Sequence, residues 1–282
     1  MTRNVAGRSE LARIGRRNRS HAFDSDTALE EVDAGRWQAW APEHWFVARG
    51  PNGGYLAALA ARAAEAVAGR PLRSLSLHFV AAPAVGPLDV AATLEREGRT
   101  YSAASIRIEQ DGAPMMLALA TLGALPEEGA EWTATAMPEP MALGDTQPLS
   151  PDDPNVPAFV RNYDMRWAVG GDGDVPGFDG WLRTREPRRL DAPLVAAMTD
   201  ACAPAAFVAL GRFVAAPTLE LTIHIRRPLP PAGMTPEEHV LGRFTTRLAV
   251  GGVWEEDGEL WTPGGELIAQ SRQLALVREL PS

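Results

Sequence analysis

The chain has 282 residues, enough for one large domain or two of about 140 residues each. Apolar residues make up 45% and charged residues 22%, and 27 basic residues against 36 acidic ones leave a net charge of −9, which argues against broad affinity for nucleic acid or anionic membranes. Every basic residue is Arg, so Schiff-base chemistry and a Walker-type phosphate loop are excluded, and the single Cys202 excludes an internal disulfide, a multi-cysteine zinc site and an iron–sulfur cluster.

The first residues are Arg-rich (Arg3, Arg8, Arg13, Arg16, Arg17, Arg19) with no apolar core behind them, which reads as a loosely ordered tail over 1–24 rather than a secretory signal. No apolar run approaches the ~18 residues of a membrane helix, and a cytoplasmic setting is expected. A strand is expected around Ala28–Trp40. Asn52-Gly53-Gly54 then opens a helix whose apolar face is Leu56, Leu59, Ala60, Ala63 and Val67, stopped by Gly69 and Pro71. Leu75, Leu77 and Phe79 alternate with Ser74, Ser76 and His78 in the next strand. Further strands are predicted over Leu88–Glu97, Thr100–Glu109 and Met115–Gly123, with a turn at Asp111-Gly112. Pro, Gly, Asp and Glu crowd residues 125–160 and again 169–180, the mark of a long connection.

The order then repeats. After a short strand at Gly180–Arg185, Asp191 caps an apolar helix predicted over Ala192–Ala203, with Pro193 in its first turn and Pro204 as its stop. Leu219, Leu221, Ile223 and Ile225 alternate with Glu220, Thr222, His224 and Arg226. Strands follow at Val240–Val250, Val253–Thr262 and Glu266–Val277. The halves overlay: Leu75, Leu77 and Phe79 fall on Leu221, Ile223 and Ile225, and His78 falls on His224. A repeat of roughly 100 residues is too long for a solenoid unit and reads as a duplicated domain.

Asn52-Gly53-Gly54-Tyr55 and Arg73-Ser74-Leu75-Ser76-Leu77-His78-Phe79 in the first half, with Thr199-Asp200, Thr218, Arg227-Pro228 and Gln273 in the second, resemble the double-hotdog acyl-CoA thioesterases of the thioesterase II family. The resemblance implies an α+β double hotdog, two tandem repeats each with a long helix wrapped by an antiparallel sheet. The N-terminal hotdog would span 25–124, the linker 125–160 and the C-terminal hotdog 161–282. It also implies a bacterial-type enzyme of lipid metabolism that hydrolyses acyl-CoA without a cofactor and works as a homo-oligomer, a dimer. Asp200, Thr218 and Gln273 resemble in order and approximate spacing the Asp, Thr and Gln that the family uses for hydrolysis.

The residues themselves support that chemistry. A carboxylate near the C-terminal end of an apolar helix is disfavoured by the helix dipole and by burial, and both raise its pKa toward that of a general base. Gln273 shares a strand face with the small residues Ala269, Ser271 and Ala275, and an amide can both donate to and accept from a water. By alternation Thr218 lies on the face opposite Leu219 and Leu221. In the overlay Thr218 falls on Leu72 and Gln273 on Ala120, so polar groups stand in the second half where the first is apolar. The expected mechanism is attack of water on the thioester carbonyl: Asp200 takes the proton, Gln273 and Thr218 hold the water, and the helix amides at Gly53 and Gly54 stabilise the oxyanion. Asn52, Gly53, Gly54, Tyr55, His78 and Arg227 are the expected substrate-binding residues, with Arg73 and Arg226 as further partners for CoA phosphates. Bland readings stay open at this point: a solvent-facing Asp200, an ordinary exposed Gln273, a Thr218 chosen for β propensity. Two other functions also stay open, a non-catalytic acyl-CoA-binding protein and an enoyl-thioester hydratase. The absence of an Asp-x-Asn-Pro-x-His-like stretch from this sequence counts against the hydratase.

Overall fold

Period-2 alternation builds nearly all of this molecule, and the strands it produces join into one antiparallel sheet. In the computed structural model the described residues are 21–126, 129–140, 142–153 and 156–279. The first half runs α1 (Ala22–Asp26), β1 (Glu30–Asp33), β2 (Arg36–Ala41), α2 (Gly53–Ala68), β3 (Leu72–Phe79), β4 (Gly86–Arg96), β5 (Ser102–Gln110) and β6 (Ala113–Leu122). The second runs β7 (Tyr163–Asp172), β8 (Val175–Thr184), α3 (Ala192–Met198), α4 (Ala206–Leu210), β9 (Thr218–Ile225), β10 (Val240–Thr245), β11 (Ala249–Val250), β12 (Val253–Trp261) and β13 (Leu267–Leu276).

The strand order is β1-β2-β4-β5-β6-β3-β9-β13-β12-β10-β8-β7, with β11 on β12. From its middle outward the sheet reads the same way twice. Its centre is the β3–β9 pair, where Leu75 faces Ile223, Ser76 faces Thr222 and Leu77 faces Leu221. Ser76 and Thr222 are equivalent positions of the overlay, and their hydroxyls share a hydrogen bond of 3.0 Å. The same register supports the overlay further out. Leu75 pairs with Ala120 and Ala120 with Ala104, as Leu221 pairs with Gln273 and Gln273 with Glu256.

Helix α2 lies on the inner face of the first half against β3, β4, β5 and β6. Ten of its sixteen residues are buried, and Gly69 ends it in the left-handed region at φ 60°. Leu59, Leu75, Leu77 and Leu88 are wholly buried there, each contributing about 1.5–3 kcal/mol by leaving water. Helix α3 packs on α2, and the contact is close because Gly54 has no side chain to hold off the backbone of Ala197.

Four expectations change. Helix α3 keeps its Asp191 cap, which accepts from Leu194 N at 3.0 Å, but it ends at Met198, not Ala203. The Thr199 hydroxyl turns back to the Ala196 carbonyl at 2.8 Å, and Asn52 draws off the Asp200 carbonyl at 2.7 Å, so the ladder stops. Residues 169–180 are not connection: they belong to the β7–β8 hairpin, turned by Gly173 at φ 61°. The strand predicted over Val240–Val250 breaks after Thr245, where the Arg247 and Leu248 amides turn to the Glu255 carboxylate at 2.7 and 3.2 Å. The predicted tail over 1–24 is packed at its end. Phe23 is buried between the guanidinium groups of Arg62 and Arg188, 5.8 and 5.1 Å from its ring centre, and both Arg side chains pair with Asp24 at 2.7 Å. The rest of that tail, 1–20, lies outside the described residues.

Candidate active site

The crossing of the helices decides where Asp200 goes. Directly after α3, it meets the first turn of α2, where helical N–H groups have no partner of their own. Its Oδ2 accepts from Gly54 N at 3.0 Å and from Asn52 Nδ2 at 2.9 Å, and Asn52 Nδ2 also donates to the Asp200 carbonyl at 2.7 Å. Burial pushes the carboxyl up to about 6, although the Gly54 and Gly53 amides and the Asn52 side chain pull the other way. The expected upward shift thus has burial as its main cause, and the carboxylate also meets the N-terminus of α2, which favours the anion. The Asp200 charge also adds to burial in raising the buried Tyr163 phenol.

A second cluster forms across β9, β13 and β12. Thr218 Oγ1 donates to Gln273 Oε1 at 3.0 Å, and Gln273 Nε2 donates to Glu256 Oε1 at 2.6 Å. Glu256 Oε2 accepts from Ala205 N at 2.6 Å. Gln273 is buried on the same face as Ala269, Ser271 and Ala275, as the pattern of small residues predicts. Strict alternation would put Thr218 on the opposite face from Leu221, and the structure corrects this. The register shifts between Leu274 and Ala275, so that Glu220 faces Leu274 but Thr218 faces Ala275, and the extra residue Leu219 turns Thr218 to the inner side. Glu256 was missed by sequence reasoning, because a Glu in the run Val253-Trp254-Glu255-Glu256-Asp257 looks like one more solvated charge. Its burial, at 4% exposure, was legible only as an even position in a strand whose register was unknown. Burial pushes it up to about 8, against the pull of its two N–H donors and with a small contribution from the Asp200 charge.

The expected substrate-binding residues divide. Asn52, Gly53 and Gly54 are at Asp200, but the Gly54 amide holds the carboxylate and the Gly53 amide also favours its charge, which alters the expectation that they wait for a substrate oxyanion. Tyr55 is committed to the core. Its ring lies tilted 5.3 Å from that of Trp45, and its one hydroxyl proton is shared between the Asp26 and Trp40 carbonyls at 3.0 and 2.6 Å. His78 is exposed on the outer face of β3 opposite Glu220, because the inner positions are those of Leu75 and Leu77. It lines an outer groove of about 490 Å³ with Ser76, Thr93, Arg107, Leu117 and Leu119. Arg227 follows β9 and pairs with Glu131 at 3.4 Å. The structure therefore does not bring His78 or Arg227 to Asp200. The Cys202 thiol is pushed well up by burial and by the Glu256 charge, the wrong direction for a thiolate nucleophile.

An antiparallel sheet wrapped around α2, with a half-buried carboxylate where the helices meet, places the protein among the hotdog folds. Residues 41–123 match the acyl-CoA thioesterase N-terminal domain and residues 134–277 the acyl-CoA thioesterase C-terminal domain. The chain belongs to the acyl-CoA thioesterase family. It is similar to the uncharacterized protein Rv0499 of Mycobacterium tuberculosis, with 28% identity over 83% of this chain and 88% of that protein. Among solved structures, a conserved hot dog fold protein of unknown function from Alicyclobacillus acidocaldarius superposes with a TM-score of 0.83 at 25% identity, over 93% of this chain and all of the other. Acyl-CoA thioesterase II TesB2 from Mycobacterium marinum superposes at 0.73 with 19% identity, over 93% and 99% of the two chains, and at that identity the likeness is one of fold. No helix among the described residues is long and apolar enough to cross a membrane.

Proposed function

We propose that this protein is a double-hotdog acyl-CoA thioesterase in which Asp200 activates water for direct attack on the thioester carbonyl. The observation that carries the reading is the Asp200 carboxylate itself: held by the α2 N-terminus and Asn52, and pushed by burial to about 6. Such a group is ionised at neutral pH yet basic enough to take a proton. Thr218 and Gln273, already joined at 3.0 Å, are the pair proposed to orient the water. Gln273 Oε1 accepts while its Nε2 donates, so the amide offers both polarities to one water. Because the Gly53 and Gly54 amides serve Asp200 in the resting protein, they are proposed as holders of the base, and the oxyanion donor is left unassigned. Water as the nucleophile needs no covalent intermediate. The two repeats are proposed as 25–124 and 161–282 joined by 125–160, supported by the doubled strand order and the Ser76–Thr222 centre, although the second helix is much shorter than the first.

Thiol release from short, long and aromatic acyl-CoAs tests the reading. Turnover of at least one is expected, and binding of these thioesters without any thiol release would replace it with the non-catalytic acyl-CoA-binding reading. The pH profile is a second expectation. Asp200 must be ionised to act, so kcat/KM should rise about tenfold per pH unit below about 6 and level off above it. In Asn52→Ala the carboxylate loses a donor to its ionised form. The inflection should then move to higher pH, and a profile that stays in place would remove Asn52 from the site.

A further inference from the structure

Glu256 is a carboxylate that the packing does not require. Its counterpart in the first half, by sheet register, is Ala104, as Ala120 is the counterpart of Gln273. The first half folds with two small apolar side chains at these positions, 1% and 4% exposed. A buried carboxylate costs free energy unless its oxygens are satisfied. Both are, and by groups of the site: Gln273 Nε2 at one oxygen and Ala205 N at the other, each at 2.6 Å.

The consequence for Gln273 is specific. A side-chain amide has nearly the same shape in either of its two orientations, so its neighbours choose between them. When ionised, above the pH of about 8 to which burial pushes it, the Glu256 carboxylate accepts at both oxygens and does not donate. With the ionised group on one side, Nε2 must face it, and Oε1 is left toward Thr218, whose hydroxyl donates. Ala205 closes the loop that begins at Asp200, so the same carboxylate ties the strand pair to the segment carrying the base.

We propose that Glu256 is a positioning residue, fixing the Gln273 amide in one orientation and joining it to the Asp200 loop so that water is held between them. The water-holding part rests on the thioesterase reading, whereas the orientation of the amide does not. The decisive variant is Glu256→Gln, nearly identical in shape but able to donate where the carboxylate accepts.

Two readouts keep the two claims apart. In nitrogen-15 spectra the Gln273 side-chain amide is assigned by its loss in Gln273→Ala. Above pH 8, where Glu256 is ionised, one of its protons is expected well downfield in the wild type and back at a free-amide position in Glu256→Gln. With an acyl-CoA that the wild type turns over, Glu256→Gln is expected to lower kcat about 10- to 100-fold with KM unchanged, the scale of a displaced reacting group. The double variant Glu256→Gln with Gln273→Glu restores an amide–carboxylate pair in reverse. It should recover the thermal stability that Glu256→Gln loses, and no recovery would overturn the pairing of the two side chains. An amide proton that Glu256→Gln does not move overturns the inference whatever the kinetics. Normal kcat in Glu256→Gln, with Asp200→Asn inactive, overturns the positioning role and leaves the thioesterase reading standing. A wild type inactive on every thioester, with the amide signature present, overturns the thioesterase reading and leaves the amide lock standing.

Discussion

Asp200→Asn is expected to lower turnover by about 100-fold or more, the scale of a lost general base, and at the same time to stabilise the protein at pH 8. The second half of that result follows from the same burial as the first. The native carboxyl is pushed from its ordinary 3.8 to about 6. The folded state therefore binds the proton more tightly than the unfolded chain does. This stabilisation is fully present below about 3.8, is lost as pH rises through 6, and leaves the ionised form penalised above that by on the order of 1–3 kcal/mol. Asn carries no charge and still has one oxygen to accept from Gly54 N and Asn52. Denaturation of wild type and variant at pH 8 and pH 4 measures the difference, which should be present at the first and vanish toward the second. Stability lost at pH 8 together with turnover would mean that the carboxylate is a structural anchor, and the assigned base would fall.

Gly54→Ala has the largest expected effect on the fold. In an exposed helix interior the change gains about 1 kcal/mol. Here the new Cβ would press into the Ala197 carbonyl and lie 2.8 Å from Asn52 Oδ1. The first of these is backbone of α3, so the two helices must separate, with an expected net loss of about 1–3 kcal/mol. Turnover should fall too, because the Gly54 amide grips Asp200 and moves with the helix. Gly53→Ala provides the contrast. Its Cβ would lie 2.8 Å from Asp200 Oδ2 and 3.1 Å from the Phe79 ring, both movable side-chain atoms, so activity should suffer more than stability. Urea unfolding midpoints beside kcat for the two variants decide this. Wild-type stability in Gly54→Ala would show that the helices do not cross at this point.

Much of this was legible because it depends on local pattern. Alternating apolar residues specify strands, and the buried faces of β3 and β9 are those the alternation names. Gly69 stops α2 and Asp191 starts α3 where sequence rules place them. The proposed duplication draws on the same kind of pattern, since two runs of similar alternation can be overlaid without knowing how they pair. Asp200 and Gln273 could be singled out because a polar residue in an apolar stretch, or among small ones, departs from its surroundings.

What the sequence could not carry is whatever depends on a register or a crossing. Thr218 reaches Gln273 only because of the bulge at Leu219, a single-residue slip that alternation cannot foresee. Glu256 is chemically unremarkable in its acidic run until the β12–β13 pairing sets it against Gln273. The Gly53 and Gly54 amides looked free, as helix N-termini do, until α3 crossed α2 and delivered Asp200 onto them. His78, prominent in the sequence, faces outward because Leu75 and Leu77 occupy the inner face. By itself, the sequence determined most of the elements and the unusual polar residues, since these are set by neighbours a few positions away. The tertiary structure decided which of those residues meet, since that is fixed by strand register and helix packing between segments up to about 150 residues apart.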